Sequence, residues 1–142
     1  MENSMAQSEE RTWAMMAHLS SVLNLFAVAF GGVIASGVIW LLYKEKSKKV
    51  AFHALQSLAL QAAVLLFIIV VVGGIWVVGF IFSFITVGFG TLIAVPVMIL
   101  SFFLAAALII AEVVYAAYAA YKVSNGEDFH YIWFGNWAAK HI

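Results

Sequence analysis

Hydrophobic and polar positions divide this chain into a half-polar opening, a short charged loop and a very long apolar run. After Arg11, the polar residues His18, Ser20, Ser21 and Asn24 are set among Trp13, Met15, Met16 and Leu19, and the chain is apolar from Leu25 to Tyr43. Lys44, Lys46, Lys48 and Lys49 form a basic knot. From Val50 to Tyr121 a single charged side chain occurs, Glu112. Apolar stretches of about 20 residues are the length of a membrane crossing. The pattern predicts helices over about 9–43, 50–78 and 92–123, with a glycine-rich turn from Gly79 to Thr91.

Ser8 followed by Glu9 and Glu10 reads as a helix start, since a side-chain oxygen and acids both suit the positive helix end. From Trp13 to Tyr43 a continuous helix would reach about 46 Å, against a hydrocarbon core of about 30 Å. The expectation is an interfacial start that bends into a crossing. A break near Gly31 and Gly32, giving a re-entrant hairpin, is the competing reading. The last long helix should stop at Ser124-Asn125-Gly126, with Gly126 in the left-handed conformation that ends helices. The tail over 127–142 carries Phe129, Tyr131, Trp133, Phe134 and Trp137 beside basic and amide residues, the mixture found at headgroup level. Together these elements predict an all-α fold, a single domain over residues 1–142. It is an integral membrane helical bundle of three transmembrane helices, with a long, partly interfacial first helix and a short C-terminal interfacial segment.

Composition supports the membrane reading. Hydrophobic residues make up 65% and charged residues 10%, against about a quarter charged in ordinary soluble domains; mean hydropathy is +1.05. The opening residues have neither a basic stretch nor an apolar core, so no cleavable signal is expected. With two crossings in the apolar run, Lys44, Lys46, Lys48, Lys49, Lys122 and Lys140 share one side, opposite Arg11, Glu2, Glu9 and Glu10. The positive-inside rule makes that side cytoplasmic, so loop 44–49 and the C-terminus are expected there. Interfacial anchors are read at Trp13, Trp133, Trp137, Lys44 and Lys48. No basic face is left free for nucleic acid.

The candidate chemistry is sparse. Glu112 is an ionisable group inside a membrane helix, which by default is a functional candidate whose partner must be found. His18 or Asn24 on the first helix could meet it across the bundle. His53, Gln56, Ser57 and Gln61 fall on one side of the second helix, at spacings of three, four and eight. They read as an interhelical hydrogen-bond seam, with a polar cavity lining as the alternative. Small residues at spacing four, with Gly31, Gly32, Ala35 and Ser36 among them, predict close helix packing. The four histidines never stand at metal-ligating spacing, and no cysteine is present. No catalytic motif occurs, so neither an enzyme nor a cofactor is expected.

Three stretches carry a resemblance. They are Glu9-Glu10-Arg11-Thr12-Trp13-Ala14-Met15-Met16-Ala17-His18-Leu19-Ser20, then Phe52-His53-Ala54-Leu55-Gln56-Ser57-Leu58, then Tyr121-Lys122 through Asn125-Gly126-Glu127-Asp128-Phe129-His130-Tyr131. Together they resemble a family of small bacterial integral membrane proteins of unknown function, related to the channel-like Tic20 subunit of the chloroplast inner-envelope import translocon. Ile132 stands where that family usually has proline, while Gly135 is kept. The resemblance implies a multi-pass protein of the bacterial cytoplasmic membrane. The expected role is a non-catalytic accessory or scaffold subunit of a larger membrane complex, such as a bioenergetic one, surrounded by lipid and other membrane subunits. A transport or protein-translocation component is the alternative. The sequence names no small-molecule ligand.

Overall fold

The structure is a computed structural model that describes residues 5–27 and 30–142; Glu2 lies outside them. Helix α1 spans Gln7–Leu19 and starts two residues earlier than Ser8 as a cap would have set it, after Ala6 in extended conformation. Ser8 instead lies within the first turn, where its carbonyl accepts a hydrogen bond from Thr12 Oγ1. Ser20 Oγ donates to the Ala17 carbonyl, a local bond of the kind that competes with regular helix, and Ser20–Leu25 tightens into a 3-10 helix. Asn24 Oδ1 then accepts from the Gly32 amide at 2.7 Å, and α2 runs Phe30–Tyr43.

These contacts turn the chain back on itself. The Trp13 and Tyr43 rings lie 4.9 Å apart, so the middle of α1 meets the end of α2. Where the pattern predicts one element over about 9–43, α1 and α2 are instead an antiparallel pair. At 14 residues, α2 is about 21 Å long, short of a bilayer core.

Ser47 caps α3 (Lys48–Phe67) by accepting from the Val50 amide, and its hydroxyl donates to Glu10 Oε1 at 2.6 Å. One serine thereby ties the start of α1 to the start of α3. Helix α3 passes through a π-helical turn, Ile68–Val72, into α4 (Gly73–Ile85), and the whole Lys48–Ile85 helix has 38 residues. Helix α5, Thr91–Ser124, has 34. At about 57 and 51 Å, these are the two helices long and apolar enough to cross a membrane among the described residues; a third crossing is not seen.

The turn between them is tighter than the glycine pattern predicts. It occupies residues 86–90, with Val87 and Gly88 both at positive φ (53° and 92°), and Gly79 lies inside α4, packed against Met98. Gly126 is left-handed at φ 83°, as expected for the end of α5. A short α6, Phe134–Ala139, follows and packs on α3.

Polarity is inverted relative to a soluble domain. The fully buried side chains include His18, His53, Gln56, Gln61, Asn24, Ser21 and Ser57, whereas Phe84 and Phe89 are 87% and 80% exposed. At one end, α1, α2, α3, α5 and α6 bundle together around the polar groups. Toward the other end, α4 and the first half of α5 continue as a two-helix hairpin with an apolar surface.

Candidate functional site

The polar interior is one column that begins at the C-terminal tail. Gln56 holds the tail's main chain, accepting from the Tyr131 amide at 3.0 Å and donating to the Phe129 carbonyl at 2.8 Å. Those two backbone groups fix which end of the amide is nitrogen, and the proton positions next door follow from it. Gln56 Nε2 also donates to His53 Nδ1 at 3.1 Å, so that nitrogen carries no proton. His18 Nε2 must then donate to the same nitrogen, 3.0 Å away. This leaves His18 Nδ1 to accept from the Tyr131 hydroxyl at 3.0 Å. The result is a chain of neutral groups running from Tyr131 through His18 and His53 to Gln56.

Burial agrees with neutrality. Removal from water, with His53 adding to it, pushes the His18 imidazole down to about 3 from its ordinary 6.5. The Tyr131 phenol is pushed up, again chiefly by burial and then by the Glu112 charge.

One turn deeper, Ser57 Oγ donates to the Ala17 carbonyl, and Gln61 Nε2 donates to Ser57 Oγ at 2.9 Å and Ser20 Oγ at 3.1 Å. Both N–H bonds of Gln61 are thereby used and its Oε1 points at Gly32. A Cβ built on Gly32 would lie 2.0 Å from that oxygen, 2.7 Å from Asn24 Oδ1 and 2.9 Å from the Ser20 carbonyl. Only glycine fits. Its Cα–H bond faces Gln61 Oε1, a weak contact typical of closely packed helices.

The column ends at Glu112, whose Oε1 accepts from Asn24 Nδ2 at 3.2 Å. Glu112 Oε2, Gln61 Oε1 and Ser21 Oγ are buried without a hydrogen-bond partner among the described residues.

All five candidate polar residues, Glu112, His53, Gln56, Gln61 and His18, therefore lie in one buried column. Of the two partners expected for Glu112, Asn24 meets it, while His18 pairs with His53 and Tyr131. Gly32 and Ser36 are buried packing positions and Gly31 rests on Leu23; Ala35 is half-buried. Among the anchors, Trp13 is half-buried on Tyr43, Trp133 and Trp137 are exposed, Lys44 lies over the Trp40 ring, and Lys48 is exposed at the start of α3. The roles of Tyr131 and Ser20 were not apparent in the sequence. The available signal was polar residues interrupting an apolar stretch, and it does not reveal pairing across 113 positions. No group of three or more His, Cys, Asp or Glu residues suited to a metal occurs among the described residues.

A family model described as the magnetosome magnetite crystal formation protein family matches residues 9–138. No curated protein and no solved structure matches. Nothing in these comparisons links the chain to the chloroplast translocon, so that part of the expected kinship is not carried further.

Proposed function

The chain belongs to the magnetosome magnetite crystal formation protein family, and from that membership we propose that it is a non-catalytic protein of the magnetosome membrane, serving crystal formation as an accessory or scaffold subunit. The observation that carries the scaffold reading is the polar column itself. Its members are bonded to one another and to main chain of α1, α2 and the tail, so the column works as an internal seam joining helices.

The proposed topology has two crossings, Lys48–Ile85 and Thr91–Ser124. The α1–α2 pair enters from the lysine side and returns to it. Arg11 and every lysine then lie at one end, which the positive-inside rule makes cytoplasmic. The segment offered to the other side, Thr86-Val87-Gly88-Phe89-Gly90, contains no ionisable group. Glu9, Glu10, Glu45, Glu127 and Asp128 all sit at the lysine end. In this arrangement no carboxylate among the described residues faces the far side to hold iron, which favours an influence on the crystal through partners or through the membrane.

The geometry gives little support to a transport path. Beyond Glu112 the column meets apolar side chains. The hydroxyls of Ser83, Thr86 and Ser101 are turned onto their own helices, at the carbonyls of Gly79, Phe82 and Met98. A relay needs a continuing series of polar groups.

The test is purification of the tagged chain from magnetosome membranes in mild detergent. Stoichiometric co-purification of other membrane proteins is the expected result. Recovery as a free monomer or homo-oligomer alone would overturn the subunit reading.

A further inference from the structure

At the lysine end, the close of α2, the start of α3 and the residues after α6 border a cleft of about 260 Å³. Its apolar side is Trp40 and Ala51, and its polar side is Lys44, Glu45, Lys48 and His141. The local fold explains the gathering. Lys44 follows Trp40 by about one helical turn, and its Nζ lies 5.4 Å from the centre of that ring. Ser47 caps α3, so Lys48 is the first residue of the 38-residue helix, and Ala51 follows on the same side. Helix α6 packs on α3 and delivers His141 to the rim.

The charges that line this cleft are not matched within the chain. Among the described residues, Lys49 pairs with Asp128 at 3.6 Å and Lys122 with Glu127 at 2.7 Å. Neither pair takes in Lys44, Glu45 or Lys48, although these lie close together in the sequence. Two cations and an anion thus border one opening without being paired to each other. His141 Nδ1 donates to the Trp137 carbonyl at 2.8 Å, which leaves Nε2 of the neutral ring as a further acceptor. Lys48 also brings the positive end of its helix. The surroundings are those of a membrane interface. Trp40 is half-buried, and Leu41, one turn before Lys44, is 59% exposed; tryptophan and lysine beside bare apolar surface mark the level of lipid headgroups.

We propose that this cleft binds the headgroup of an aminophospholipid, a phosphodiester joined by a short linker to a primary ammonium. The phosphate takes Lys44 and Lys48, the ammonium takes Glu45 and His141 Nε2, and the acyl chains leave along Leu41. Hydrogen bonds between charged groups are the stronger kind, and this headgroup offers both signs at once. An anionic headgroup satisfies the lysines but sets a second negative charge beside Glu45. A choline headgroup carries its positive charge on methyl groups and has no N–H to give Glu45 or His141. A soluble phosphate ester leaves the apolar surface at Leu41 bare. The volume, just under the usual range for whole small-molecule ligands, suits a headgroup whose chains lie outside. The site stands whether or not the chain is a subunit, because all of its groups belong to this chain.

The test is a nuclear magnetic resonance titration of the full-length protein in dodecyl maltoside micelles, read at the backbone amides of Lys44, Glu45, Lys48 and His141. The ligands are the dihexanoyl forms of phosphatidylethanolamine, phosphatidylcholine and phosphatidylglycerol, with O-phosphoethanolamine as the soluble headgroup. An exposed ion pair changes affinity by at most about fivefold. The expected result is therefore saturable shifts at these amides, with phosphatidylethanolamine acting at a concentration about three- to fivefold lower than either other lipid. Glu45→Gln should erase that preference. Lys44→Gln combined with Lys48→Gln should weaken phosphatidylethanolamine and phosphatidylcholine by the same factor, because the phosphate is common to both. Phosphatidylglycerol binding as tightly as phosphatidylethanolamine would make the cleft a general basic patch and overturn the proposal. So would equal binding of phosphatidylcholine, or an unchanged preference in the Glu45→Gln protein. Saturation by O-phosphoethanolamine at the same concentration as the lipid would assign the cleft to a soluble phosphate ester instead.

Discussion

Replacing Gly32 by alanine tests the column at its most crowded point. The added methyl would meet Gln61 Oε1 at 2.0 Å, Asn24 Oδ1 at 2.7 Å and the Ser20 carbonyl at 2.9 Å. The carbonyl is main chain and cannot swing aside. Gln61 is held by both its N–H bonds, to Ser57 and Ser20, and Asn24 is held by the Gly32 amide and Glu112. Relief of the clash therefore breaks about three hydrogen bonds, each worth about 1 kcal/mol between helices in a membrane protein. Alanine returns about 1 kcal/mol of helix propensity over glycine, leaving a net loss of about 2 kcal/mol. In thermal unfolding in detergent, followed by circular dichroism, the midpoint should fall by roughly 5 °C. Gly37→Ala is the control, because its methyl would meet only Leu58 Cδ1 at 3.8 Å; it should be neutral or slightly stabilising. If the two variants unfold together, the packing of α2 on the column is wrong.

Further outcomes follow from the same contacts. Single cysteines at Gln7, Lys46 and Ser124 should be labelled by an impermeant maleimide from one side and a cysteine at Phe89 from the other; labelling of Gln7 with Phe89 would restore a crossing by the first element. Gln56→Ala removes both main-chain bonds to the tail and should hasten proteolysis around residues 127–133 several-fold while the helix content stays unchanged. An unaltered cleavage rate would show that the tail is held by other means. His18 is neutral when folded down to about 3 but takes a proton near 6.5 when unfolded, so the unfolded state binds more protons between those values. Stability should therefore fall as pH drops through that window, by up to about 1.4 kcal/mol per pH unit from this group. His18→Gln should flatten the slope, and an equal slope would assign the effect elsewhere.

The sequence shows some of this directly and hides the rest for physical reasons. His53, Gln56, Ser57 and Gln61 are visible as a stripe because helical spacing puts them on one side of a single element. Glu112 stands out because nothing else in its apolar run is charged. The reversal between α1 and α2 is not visible in that way. Residues from Leu25 to Tyr43 are apolar whether they cross a membrane or turn back within it, so hydropathy cannot separate a bent crossing from a hairpin. What decides is the pairing of Asn24 with the Gly32 amide and of Trp13 with Tyr43, contacts that no local pattern encodes. The tail is similar. Its aromatics suggest an interface, yet Tyr131 is buried to 2% because its main chain meets Gln56, 75 positions away.

The column also explains why the chain divides into a bundled end and a bare hairpin. Ser20, Ser21 and Asn24 could not face acyl chains without loss, and folding them onto Ser57, Gln61 and Glu112 commits α1 to lie beside α3 and α5. That commitment extends as far as the polar groups do. Beyond Gln61 on α3, and before Glu112 on α5, the buried Ser101 is satisfied within the hairpin by the Met98 carbonyl and the Trp76 indole, so it calls for no third helix, and α2 runs back toward the lysines. The remaining helices touch through small contacts, such as Gly79 on Met98, and leave an open apolar groove lined by Ile68, Val72, Trp76 and Ala106 beside Asn24.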